Sequence, residues 1–163
     1  MDTIPAQAGS YALFLKLSAM QNLEIGRLGG DSFPPGLYVY LGSAAGPGGL
    51  KARLGRHLRG GGRVHWHVDY LRAAVPVIGY CYLSHQEIGS LTFSLECRWS
   101  QSLAALPESF VPMLGFGSSD CDAGCQAHLI AFPENEEFSP WHLRQVLANA
   151  MDVSPAAIVC DLI

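Results

Sequence analysis

Two tyrosines, a run of basic residues and a short cluster of soft ligands are where this chain can do chemistry. Arg53 and His57 stand four apart, so a helix through them puts both on one face, within reach of a single phosphate. Arg53 offers a rigid donor fork that matches phosphate oxygens. Lys51, Arg56, Arg59 and Arg63 extend this into a patch that can track a phosphate backbone, which supplies affinity without sequence reading. His65-Trp66-His67 carries rings that can stack on a base or contact phosphate, or can pack beneath a site with Asp69 as partner. Cys121, Cys125 and His128 follow the spacing C-x3-C-x2-H, three ligands suited to zinc. A structural zinc wants a fourth, for which Asp120 and His85 are the sequence candidates. A hydrogen-bonding loop over Ser118-Ser119-Asp120, closing over the active site, is the competing and favoured reading. Cys81, Cys97 and Cys160 sit in apolar surroundings and read as core.

These residues need elements to hold them. Residues 10–17 alternate, with Tyr11, Leu13, Leu15 and Leu17 on one side, which predicts a strand. LEIGRL after Gln21-Asn22 reads as its hairpin partner, followed by a turn-rich loop over 29–36. Residues 37–42 read as a third strand, with Leu37, Val39 and Leu41 on one face and Tyr38 and Tyr40 on the other. Leu50, Leu54 and Leu58 predict a helix over 50–59, stopped by Gly60-Gly61-Gly62. A helix over 66–74 and a strand over 75–83 follow. Leu91, Leu95, Trp99 and Leu103 predict a long helix over 90–106, with Glu96 bordering its buried stripe. A loop around 115–125 precedes a strand at 128–132. Ser139 followed by Pro140 is a strong helix start. The helix runs to Met151, ahead of an apolar tail over Ile158 to Ile163 that can cover a sheet edge or meet a second copy. The fold class is α+β, with a small, mainly antiparallel three-stranded central sheet flanked by helices and an extra C-terminal strand and helix.

Composition narrows the classes. The chain has 163 residues, 49% apolar and 15% charged, which excludes a disordered protein. No apolar run is long enough to span a bilayer, so no membrane partner is expected. Met1-Asp2-Thr3-Ile4-Pro5 lacks the basic and apolar regions of a signal peptide, which makes the cytoplasm the expected compartment. Five cysteines, spread thinly, do not read as a secreted disulfide framework. The net charge of −4 argues against a generic polyanion binder. Its distribution matters more: residues 1–72 carry eight Lys/Arg against four Asp/Glu, and the remainder carries two against ten. Phosphate binding is therefore expected at one place on an otherwise repelling protein.

Gly9-Ser10-Tyr11 on the first strand and Tyr40-Leu41-Gly42 on the third resemble the paired signature of the GIY-YIG nuclease superfamily. Leu50-Lys51-Ala52-Arg53-Leu54, then His57, resembles the helix after the second signature in the N-terminal nuclease domain of the bacterial excinuclease. The runs GSYAL, FPPGLYVYLGSA, GPGGLKARLGRHLR, HWHVDYL, LEC and GFGSSDC…HL are similar to a subgroup of small GIY-YIG-like proteins related to domains fused to endonuclease III. Together they span residues 9–132, leaving 133–163 as a C-terminal extension on the same domain. The resemblance implies a metal-dependent endonuclease acting on DNA, ahead of RNA, with a repair protein or a second copy as a further partner. It implies Tyr40 as general base, Tyr11 positioning water or a phosphate oxygen, Arg53 and His57 on the phosphate, and Glu96 holding one Mg²⁺ or Mn²⁺. Glu87 and Glu108 compete less well for that place because they fall near expected helix ends. A free phenol has a pKa of ~10, so a tyrosine base needs cations to lower it. Two departures bear on activity: Ser43 stands where the excinuclease pattern has Lys, and Gly46-Pro47-Gly48 reads as an insertion. They motivate the alternative of a nucleic-acid-binding or adaptor module of the same fold, weakly active or inactive.

Overall fold

The computed structural model describes residues 4–88, 94–134 and 139–163. Its centre is an antiparallel sheet of five strands. In chain order they are β1 (Gly9–Leu17), β4 (Gly36–Ser43), β5 (Val77–Ser84), β6 (Leu129–Phe132) and β7 (Val159–Leu162). The spatial order is β6-β4-β1-β5-β7, so β1 is central and buried on both faces except at Lys16. The α+β class is as expected, and the sheet is two strands wider than the three foreseen. LEIGRL does not pair with β1. Gln21–Glu24 (β2) instead pairs with Gly30–Phe33 (β3) in a separate two-stranded ribbon, within what reads in the sequence as a loop. Both are short, and only Phe33 of β3 is buried, which leaves little periodicity to read.

Alternation along β1 and β4 divides the molecule into two layers. Tyr11, Leu13, Leu15, Tyr38 and Tyr40 face α1 (Gly49–Arg59) and α2 (His67–Ala74), where Leu50, Leu54, Val68 and Leu71 are fully buried. Ala12, Phe14, Val39 and Leu41 face α3 (Leu95–Ala104) and α4 (Pro140–Met151), against Trp99, Leu103, Leu143 and Leu147. Trp99 donates its indole N–H to the Leu147 carbonyl at 3.0 Å, joining α3 to α4. Ser139 caps α4 by accepting from the His142 N–H, as its sequence predicts. The helix expected over 90–106 is observed over Leu95–Ala104; its Leu91 lies outside the described residues.

The apolar tail is β7, which covers the outer edge of β5 and is bonded to it by a Cys81–Cys160 disulfide between directly opposed residues. Cys81 is core, as its surroundings in the sequence suggest, while the same reading of Cys160 is corrected: it is half-buried on the edge strand and bonded to Cys81. No helix among the described residues is long and apolar enough to cross a membrane.

Candidate functional site

Strand pairing sets Tyr11 opposite Gly42 and leaves Tyr40 two residues away on the same face. A Cβ at position 42 would meet the Tyr11 hydroxyl, so glycine makes room for that phenol. The tyrosine rings lie 6.5 Å apart. With Arg53, Ser43, Trp66, Glu96, Gly117, Asp120 and His128 they line a cleft of about 170 Å³. It opens at the end of the sheet where the two helical layers meet. From one layer α1 sends Arg53, and from the other α3 sends Glu96. The loop before β6 supplies Asp120.

His57 does not reach the cleft as a phosphate ligand. It is buried behind Tyr11, with Nε2 2.9 Å from the Tyr11 hydroxyl. Burial, together with the charge of Arg72, pushes its pKa down to about 3, so the ring is neutral at physiological pH. An Arg72 amino group lies 3.5 Å from Nδ1. Since a guanidinium only donates, Nδ1 is the acceptor there and Nε2 carries the proton directed at Tyr11. The expectation of His57 as a charged partner on the phosphate is replaced by a positioning one.

Asp69 organises the ground beneath. It accepts from both terminal nitrogens of Arg56 at 2.9 and 2.7 Å, from Arg72 at 3.0 Å, and from the backbone N–H groups of His65 and Trp66. Burial raises its carboxyl pKa, but these bonds outweigh that and hold it well below the ordinary range. Two guanidinium groups lie against the Trp66 ring, Arg53 at 4.2 Å and Arg56 at 4.3 Å from its centre. This is the packing alternative for His65-Trp66-His67. His67 faces inward, its Nδ1 accepting from the Gly117 N–H at 3.0 Å, so it props the cleft loop rather than offering itself to a nucleic acid. Lys51, Arg59, Arg63 and His65 are exposed, while Arg56 is committed to Asp69.

Burial pushes both phenols up, Tyr11 further through the neighbouring Tyr40. The Arg53 charge opposes this at each of them. Glu96 is half-buried, 3.4 Å from the Ser10 hydroxyl. His85 contacts that same hydroxyl at 3.4 Å and is not part of the cysteine cluster. Asp120, read in the sequence either as a zinc ligand or as part of a hydrogen-bonding loop, shares the cleft with Glu96. Carboxylate oxygens are the donor type that Mg²⁺ takes.

Beside the cleft lies a second set of ligands. Cys97, Cys121, Cys125 and His128 hold their ligand atoms within 4.8 Å of one another, a cluster able to hold a metal ion. The missing fourth partner is therefore Cys97, not Asp120 or His85. Its position on α3 marks it as core in the sequence, because nothing local ties it to residues 121–128.

The class defined by these features is an α+β protein with a tyrosine-lined cleft at the end of its sheet, a basic helix beside it and a Cys₃His cluster behind it. A model of the family described as Domain of unknown function DUF123 matches residues 10–151, and the chain belongs to that family. No curated protein and no solved structure gives a significant match.

Proposed function

We propose that this protein is a metal-dependent endonuclease of GIY-YIG type that hydrolyses phosphodiester bonds in DNA. The observation that carries the reading is the convergence of Tyr11, Tyr40, Arg53 and Glu96 from four separate elements on one cleft. Those are residues that the sequence resemblance singles out. In this reading the exposed Lys51, Arg59 and Arg63 guide the backbone toward the cleft. Arg53, preset by stacking on Trp66, grips a phosphate oxygen with its fork. Tyr11 is held by His57 and orients the attacking water. Tyr40 receives the proton from that water, directly or through a neighbour. Glu96, with Asp120 beside it, would hold Mg²⁺ or Mn²⁺, whose charge relieves the phosphate and leaving oxygen and favours the ionised phenol.

The test is nicking of supercoiled plasmid with Mg²⁺ and then Mn²⁺, comparing wild type with Glu96→Ala purified identically. The expected result is nicking by wild type alone. Equal activity in both preparations would overturn the assignment of Glu96. Ser43 in the cleft, where the excinuclease has Lys, favours a second reading: a DNA-binding module without cleavage. Metal-independent binding with no cleavage of plasmid, flap or branched DNA would select it.

A further inference from the structure

Three pieces of chain with no regular pairing between them bring four soft ligands to one point. Cys97 comes from α3, Cys121 and Cys125 from the loop after it, and His128 from the residue before β6. We propose that these four residues bind one zinc ion in a closed structural site, and that this ion fixes the two carboxylates of the cleft.

The spacing is already that of coordination. Four ligands at ~2.3 Å from a tetrahedral ion stand ~3.8 Å from each other. Here the Cys97 sulfur lies 3.3 Å from that of Cys121 and 3.5 Å from Nε2 of His128, and no pair exceeds 4.8 Å. Three thiolates and an imidazole select zinc over the hard cations suited to the cleft. Four protein ligands leave no open position, which marks a structural rather than a catalytic site.

The surroundings fit the same ion. The Gln101 amide points at the Cys125 sulfur at 3.8 Å, where it can stabilise a thiolate. The His128 ring turns its Nε2 toward the Cys97 sulfur at 3.5 Å. The stretch from Ala105 to His128 contains no helix or strand; it is tied down by a bridge from Phe110 to Ala131 and by the buried Phe116, while Cys121 and Cys125 lie on its more exposed turns. Metal binding supplies folding free energy to such a segment.

Each cleft carboxylate adjoins a cluster ligand in sequence, Glu96 before Cys97 and Asp120 before Cys121, and His128 lines the cleft as well. An ion at the cluster therefore pins α3 and the loop together and sets where both carboxylates stand. This coupling rests on the nuclease reading of the cleft; the metal content does not.

The experiment is elemental analysis of the full chain, purified without a metal-affinity tag, followed by replacement of the metal with Co²⁺ and visible spectroscopy. We expect about one zinc per chain, and a cobalt form with the strong bands of tetrahedral thiolate coordination. Cys97→Ser loses the ion. Because that variant can also fail to fold, His128→Cys is the second arm, expected to keep one zinc in a four-thiolate site. The proposal is overturned if reduced protein supplied with excess Zn²⁺ and desalted carries none. Zinc unchanged in Cys97→Ser, or a Cys97–Cys121 disulfide found by mass spectrometry in place of metal, overturns it equally. Zinc bound tightly by a protein that cleaves nothing would sink the nuclease reading and leave this one standing.

Discussion

A neutral imidazole behind a phenol is a pH-sensitive arrangement. His57 takes up a proton less readily in the fold than in the unfolded chain, about 3 against 6.5. Its contribution to stability is therefore complete above 6.5 and is lost as pH falls toward 3. Each pH unit in that window removes at most about 1.4 kcal/mol. His67 is lowered as well and adds a loss of the same sign, while Asp69 acts only below its ordinary value of 3.8. Urea unfolding at pH 6.5 and pH 4.5 isolates the histidines, and His57→Gln is expected to lose less stability between the two than wild type. Asp69→Ala is a harsher change. It strands the buried Arg72 beside a neutral ring, and a loss of about 3–5 kcal/mol is expected in the same assay, the range for breaking a buried pair. Tyr11→Phe removes the hydroxyl that meets His57 and is expected to lower cleavage more than it lowers stability, with plasmid nicking and thermal melts as the paired measurements.

Elements explain which residues are legible in advance. β1, β4, α1 and α4 announce themselves because each has an unbroken period and a terminator, as with Ser139-Pro140 before α4. Their faces follow from that period, so Tyr11 and Tyr40 can be placed together from the sequence. The ribbon of β2 and β3 escapes such a reading because its strands are short and mostly exposed. β7 reads only as an apolar tail, since three of its four residues face solvent and its cysteine is paired with one 79 positions earlier. Cys97 is buried as the sequence suggests, but its part in the cluster is not legible there, because its partners meet it only through tertiary contact. Packing of β1 on β4 also makes a local prediction. Gly42→Ala places a methyl on the Tyr11 hydroxyl, and overpacking of this kind costs about 1–3 kcal/mol. Chemical denaturation measures that loss, and cleavage is expected to fall with it as Tyr11 is displaced.

At the scale of the molecule, the disulfide between β5 and β7 closes a long loop, its cysteines standing 79 positions apart in the chain. Cross-links of this sort typically contribute about 2–4 kcal/mol, largely by restricting the unfolded chain. Cys160→Ser is therefore expected to melt lower than oxidised wild type and to coincide with it once both are reduced, a comparison made by thermal melts with and without a thiol reductant. The strand order β6-β4-β1-β5-β7 has a consequence for synthesis. β1 emerges from the ribosome first, β4 joins one side of it, and β5 joins the other. β6 then adds outside β4 and β7 outside β5. Every strand arrives at an edge that already exists, and none has to insert between two others. The sheet can grow outward from its middle as the polypeptide lengthens, with the tyrosine pair brought together while the residues of the Cys₃His loop are still untranslated.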